Sequence, residues 1–143
     1  MQALAAAYDA ALFDLDGVIY LGPYAIDGVA EALDELRSRG TQLGFVTNNA
    51  ARTPAAVAEH LTELGIHARE EDVVNSTQAT LRTLAADLPP GARVLAVGTE
   101  ALAEQLSGAG FTVVTSLEED PVAVVQGYSP TIAWQRLEEA ALA

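Results

Sequence analysis

The chain has 143 residues, half of them hydrophobic, with 20 acids against 7 basic residues and a formal net charge of −13. That is enough for one ordinary domain with a packed core; no disulfide or thiolate metal site can form without cysteine, which fits a cytoplasmic protein, and no apolar run approaches the ~18 residues of a membrane span. The acidic surplus disfavours nucleic acid and anionic membranes as partners, and it would repel a phosphate ester unless local positive groups or a metal offset it.

The opening segment, MQALAAAYDAALF, is apolar but has no basic start and is interrupted by Asp9, so it does not read as a leader peptide. Ala11, Leu12 and Phe13 then read as a buried strand ending at Asp14. Residues 28–39 carry apolar side chains at 29, 30, 32, 33 and 36, a helical spacing that Gly40 stops. Residues 43–46 form the next strand, which ends at Thr47. Thr53 and Pro54 predict a helix start, with Thr as N-cap and Pro in the first turn, and Gly65 closes that helix. Asp72, Val73 and Val74 read as a short strand, after which Ser76 or Thr77 caps a helix to about residue 87.

Pro89-Pro90-Gly91 is the clearest punctuation, and the pattern restarts after it. Residues 93–97 predict a strand, Thr99 a helix cap, and residues 111–114 and 122–125 two further strands. Ser129-Pro130 predicts the opening of a last helix, with Tyr128 and Trp134 expected in core packing. Alternation of this kind implies an α/β fold, a doubly wound parallel sheet. The division expected is residues 1–88 and residues 89–143.

Two strand ends carry the chemistry. Asp14 ends an apolar run, where functional groups gather in open parallel sheets, and Asp16 follows in a turn that Gly17 lets tighten. Two carboxylates this close repel unless a cation offsets them, and a hard cation with oxygen ligands such as Mg²⁺ suits the pair. Thr47, Asn48 and Asn49 end the second strand, where a hydroxyl and a following N–H can donate to phosphate oxygens. Asp-Leu-Asp-Gly also reads as a surface turn, and Thr-Asn-Asn as a loop with a helix cap; their spacing of one βαβ unit favours function. His60 and His67, with no partner ligand nearby in sequence, read as structural.

DLDGV at 14–18 and the strand end at Thr47 resemble the first and second motifs of the haloacid dehalogenase superfamily. DLDGVIYLG, FVTNNAART and VLAVGTEALAEQLSGAGF together are similar to the NagD-like and para-nitrophenylphosphatase-like subgroup, whose α/β cap is inserted after the second motif. The resemblance implies a Mg²⁺-dependent phosphatase acting on a small phosphorylated metabolite. Asp14 would be the nucleophile that forms an aspartyl-phosphate, and Asp16 the acid/base. Metal would be held by Asp14 and by the backbone of Asp16, and phosphate by Thr47, Asn48 and the amides near Leu15 and Gly17. Asn49 and Arg52 would lie near the mouth of the site, where Arg52 meets an anionic substrate group or serves as a solvated helix-start residue. Residues 18–28 match the hairpin that this superfamily carries after its first motif, and residues 89–143 the first part of the cap.

The superfamily also needs a lysine and a second acidic pair, both after the cap. This chain has no lysine: its seven basic residues are all arginines. The sequence therefore reads as the N-terminal portion of such an enzyme, with unpaired sheet edges that favour self-association. A non-catalytic phosphate- or metal-binding module, and an interaction domain with an acidic surface, are the rival readings.

Overall fold

The computed structural model describes residues 7–143, so the reading of the opening segment falls partly outside the described residues. Two compact units are present. One comprises residues up to 47 together with 54–74; the other comprises 48–53 together with 75–143.

In chain order the first unit holds β1 (Ala10–Asp14), β2 (Tyr20–Leu21), β3 (Tyr24–Ala25), α1 (Val29–Ser38), β4 (Gln42–Thr47) and α2 (Pro54–Glu63). A 3₁₀ turn (Glu70–Asp72) then leads into β5 (Val73–Asn75), whose last residue belongs to the second unit. The sheet order is β1-β4-β5, with β1 and β4 parallel and Phe13 opposite Phe45. Alternation puts Phe13 and Phe45 on the packed face, their rings 6.5 Å apart, in a core with Leu15, Ile19, Leu33, Leu61, Ile66 and Val73. Leu12 and Asp14, on the opposite face, are exposed. Residues 18–28 contain the expected hairpin, β2 pairing antiparallel with β3.

The glycine stops behave as their residue type dictates. Gly65 adopts φ +81° after α2. Its N–H reaches Thr62 O at 3.0 Å while Ile66 N–H reaches Leu61 O at 2.9 Å, and Leu61 and Ile66 both lie in the core. That paired closure satisfies two helix-end carbonyls, and its left-handed residue is one that a Cβ would penalise. The same pattern ends α1 at Gly40 and α4 at Gly110.

The second unit holds α3 (Ser76–Asp87), β6 (Arg93–Val97), α4 (Glu100–Gly108), β7 (Thr112–Val114), β8 (Ala123–Gln126) and α5 (Trp134–Leu142). Its sheet runs β7-β6-β8, all parallel, with β6 in the centre. Both faces of β6 are covered, which explains its unbroken apolar run. Val94 packs with Leu102, Leu106, Phe111 and Val125, against Leu81 and Leu84 of α3. Leu95 and Val97 pack with Val114 against Ile132, Leu137 and Ala140.

Three local expectations are corrected. The N-cap of α3 is Asn75, not Ser76 or Thr77: its side chain accepts from Gln78 N–H at 2.9 Å, and the Gln78 side chain returns a bond to Asn75 N–H at 3.2 Å. This capping box was legible as Asn followed three residues later by Gln. The last helix begins at Trp134 rather than at Ser129-Pro130. The Ser129 hydroxyl instead accepts from Thr131 N–H at 3.4 Å, making a turn before the helix. Trp134 and Tyr128 are 76% and 66% exposed, against the expectation of core packing. The packed face of α5 carries Leu137 and Ala140, and neither aromatic belongs to that cluster.

Candidate functional site

Within the first unit, β1 and β4 run parallel, so their carboxyl ends fall on one edge of the sheet. The register places Asp14 opposite Val46, one residue before Thr47. Asp14 and Asp16 are exposed, whereas Leu15 between them is fully buried. Leu15 is the anchor of the turn. Its side chain enters the core and its carbonyl accepts N–H groups from Val18, Ile19 and Tyr20 at 3.2, 2.9 and 3.2 Å. Gly17, at φ +80°, closes the same turn through its N–H to Tyr20 O at 2.8 Å. Any other residue would be strained there. The two aspartates are thus held at the strand end by backbone bonds and by one buried leucine.

Thr47 ends β4 and is buried, with 3% exposure. The next residues, 48–53, belong by packing to the second unit. Asn48 and Arg52 are exposed and Asn49 is half-buried, its Oδ1 accepting from Ala51 N–H at 2.7 Å in a local turn. Three carbonyls of this loop are bound by second-unit side chains. Ser76 Oγ donates to Asn48 O at 2.9 Å, Asn75 Nδ2 to Arg52 O at 2.9 Å, and Thr99 Oγ1 to Ala51 O at 3.4 Å. Thr99 stands at the expected N-cap of α4, yet its side chain caps nothing, because the hydroxyl is engaged by the loop.

The sequence profile of haloacid dehalogenase-like hydrolases matches residues 11–112. The chain belongs to that family. A D-glycerol 3-phosphate phosphatase of Mycobacterium tuberculosis is 48% identical over 143 residues, a match that covers all of this chain and 40% of that protein. The crystal structure of glycerol phosphate phosphatase from M. tuberculosis in complex with magnesium superposes with a TM-score of 0.92 at 48% identity, over 100% of this chain and 43% of that one. NagD from E. coli K-12 gives 0.79 at 27% identity, over 94% of this chain and 51% of its own length. The chain therefore spans about two-fifths to one-half of the length of the relatives it matches.

Family membership does not complete the metal shell from this chain. Among the described residues no group of three or more His, Asp or Glu side chains could hold a metal ion. The donors present at the strand end are oxygens only, the exposed carboxylates of Asp14 and Asp16. That set fits part of the coordination of a hard cation and suits no soft metal. A groove of about 710 Å³ in the first unit lies elsewhere, at the edge where β4 begins, lined by Leu12, Arg37, Gln42, Gly44 and Asp72 among others. It contains none of the candidate residues.

Sequence reasoning missed Asn75, Ser76 and Thr99 as supports of the 48–53 loop. The signal for Asn75 was its capping pattern, but nothing in sequence announces a hydrogen bond across 23 residues. His60 packs edge-on against Tyr20, with ring centroids 5.3 Å apart, and lies 3.7 Å from Glu63, in keeping with a structural role. Of the seven arginines, Arg37, Arg39, Arg69, Arg93 and Arg136 pair with carboxylates. Among the described residues, Arg52 and Arg82 form no ion pair.

Proposed function

We propose that the protein hydrolyses the phosphate monoester of a small metabolite, with Mg²⁺ as cofactor. The observation that carries this reading is the pair Asp14 and Asp16 at the end of β1, in register beside the end of β4 at Thr47. Asp14 attacks phosphorus and forms an aspartyl-phosphate as the alcohol leaves. Asp16 gives the leaving oxygen its proton and then takes one from the water that hydrolyses the intermediate. Splitting the displacement makes each step easier, and a positioned acid/base contributes roughly 10²–10⁴-fold. Asp14 and the Asp16 backbone would hold Mg²⁺, which when bound offsets the negative charge of nucleophile and phosphate.

Thr47, the Asn48 N–H and the amides near Leu15 donate to phosphoryl oxygens; Gly17 shapes that turn, its own N–H being given to Tyr20 O at 2.8 Å. Asn49 and Arg52 face the rest of the substrate. Support for Arg52 is its exposure five residues after Thr47 and, among the described residues, the lack of an ion pair, in a chain whose net charge is −13. The relatives named for glycerol phosphate make D- or L-glycerol 3-phosphate the first ester to try. The same reading takes residues 1–88 as the core portion and 89–143 as the cap portion, a division by family motif rather than by packing, and takes the protein as cytoplasmic. Among the described residues no helix is long and apolar enough to cross a membrane.

The test is Mg²⁺-dependent phosphate release from para-nitrophenyl phosphate and glycerol 3-phosphate by the full-length protein and its Asp14→Asn variant. Turnover by the wild type, lost in the variant, supports the reading. Equal turnover by both would remove Asp14 as the nucleophile, and an inert wild type would leave phosphate or metal binding as the activity to measure.

A further inference from the structure

We propose that Asn75 is a positioning residue that sets the path of the 48–53 loop, and through it the grip on the phosphoryl group; this rests on the phosphatase reading above. The loop follows Thr47 directly and carries Asn48, Asn49 and Arg52. One bond within the loop is the short turn from Ala51 N–H to Asn49 Oδ1. Three of its carbonyls are held from beyond the loop: those of Asn48, Ala51 and Arg52 are each taken by a side chain of the second unit. In a trans peptide the N–H points opposite to the carbonyl of the same plane. Binding these three oxygens therefore fixes the peptide plane that follows Asn48, next to the one that carries the Asn48 N–H, and both planes that flank Arg52, and with them the direction in which the Arg52 side chain leaves the backbone.

Asn75 is the most constrained of the three supports. It is 1% exposed, and both ends of its amide are engaged. Oδ1 accepts from Gln78 N–H at 2.9 Å, and Nδ2 donates to Arg52 O at 2.9 Å and to Gln105 Oε1 at 3.3 Å. Gln105 is itself held by Nε2 donating to Ala101 O at 3.0 Å. A close approach adds a further constraint: a Cβ built on Gly127 would lie 3.1 Å from the Ala50 side chain, so the middle of the loop rests on the backbone just after β8. One amide thus links the start of α3 to the carbonyl of Arg52. A side chain needed only as a helix cap would require the acceptor half alone.

That division gives a selective test. Asn75→Asp keeps an N-cap acceptor of equal quality and adds a charge favoured at a helix N-terminus. It replaces the donor facing Arg52 O and Gln105 Oε1 by a second acceptor. Ser76→Ala removes only the bond to Asn48 O. The experiment measures para-nitrophenyl phosphate turnover with Mg²⁺, inhibition by inorganic phosphate, and thermal unfolding, for full-length wild type, Asn75→Asp, Ser76→Ala and Asp14→Asn. For Asn75→Asp the expected result is a KM and a phosphate inhibition constant both raised about tenfold, the effect of losing one hydrogen bond of ordinary strength. The change in kcat is smaller and the unfolding midpoint is retained. Ser76→Ala shifts the same two constants in the same direction.

Wild-type KM and phosphate inhibition in both variants, with Asp14→Asn inactive, would overturn the proposal and leave the phosphatase reading standing. If Asn75→Asp does not fold, Ser76→Ala decides alone on the same readout. An inert wild type would overturn both readings together.

Discussion

Leu102 gives a sharp test of how the second unit is packed. It is 1% exposed, and its Cδ2 lies 2.8 Å from where a Cβ on Gly98 would stand and 3.2 Å from a Cβ on Gly127. Two walls of its pocket are therefore backbone, which cannot collapse when the side chain is cut back. Leu102→Ala should then cost about 4 kcal/mol, in the upper part of the range for buried leucines. Gly98→Ala alone should also destabilise, by ~1–3 kcal/mol, because the buried Leu102 has no room to yield. The two changes relieve one another: with Leu102 shortened, the new methyl at 98 occupies vacated space. The double variant should be about 1 kcal/mol more stable than Leu102→Ala, giving a coupling of several kcal/mol against additivity. Urea unfolding followed by far-ultraviolet circular dichroism measures all four proteins, with the slope checked for a common denatured state. A double variant as unstable as the sum of the singles would refute the proposed contact and the reason given for the glycine at 98.

Two further predictions concern the helix ends. Gly65→Ala meets no atom within 4 Å of the new Cβ, so its cost is the left-handed backbone at φ +81°. That cost is partly offset by the restricted unfolded chain, giving a net loss of ~1 kcal/mol; an increase in denaturation midpoint would contradict it. The Glu139 carboxyl is held below its ordinary value of 4.5, chiefly by the Leu117 N–H, with the Ser116 side chain and Arg136 adding to the effect against partial desolvation. A depressed acid stabilises fully above its unfolded value and loses that contribution as pH falls through its folded value. The stability gap between wild type and Glu139→Gln should therefore shrink below pH 4.5, and a gap independent of pH would show that the carboxylate contributes nothing there.

Most of the architecture was legible because it is local. Apolar runs, Gly40 and Gly65 as stops, and Pro54 in the first turn of α2 placed α1, β4 and α2 to within a residue or two. The errors arose where a side chain had two plausible partners. Asn75 competes with Ser76 and Thr77 for the same cap, and only Asn75 has Gln78 three residues on to close the box. Thr99 has the right residue type for a cap but spends its hydroxyl on Ala51. Tyr128 and Trp134 looked like core from their apolar bulk, yet Tyr128 lies in the loop between β8 and α5, and Trp134 at the start of α5 is outside the cluster that Leu137 and Ala140 join. At the candidate site, Asp14, Asp16 and Thr47 were legible as polar residues ending apolar strands. Their supports were not, because each depends on a contact far away in sequence.

Charge accounts for why those supports matter. A chain of net charge −13 without a single lysine cannot attract a phosphate ester by its overall field. Five of its seven arginines are already paired with carboxylates, and Arg82 lies on α3, away in sequence from the strand ends. On the proposed reading, the positive groups this chain offers the ester are then backbone N–H dipoles and Arg52. Dipoles act over short range and only when aimed, so their value depends on the rigidity of the turn and loop that carry them. The 14–17 turn is made rigid from within, by Leu15 in the core and its thrice-bonded carbonyl. The 48–53 loop is made rigid from outside, by Asn75, Ser76 and Thr99. A substitution that loosens either should weaken phosphate binding before it touches the nucleophile.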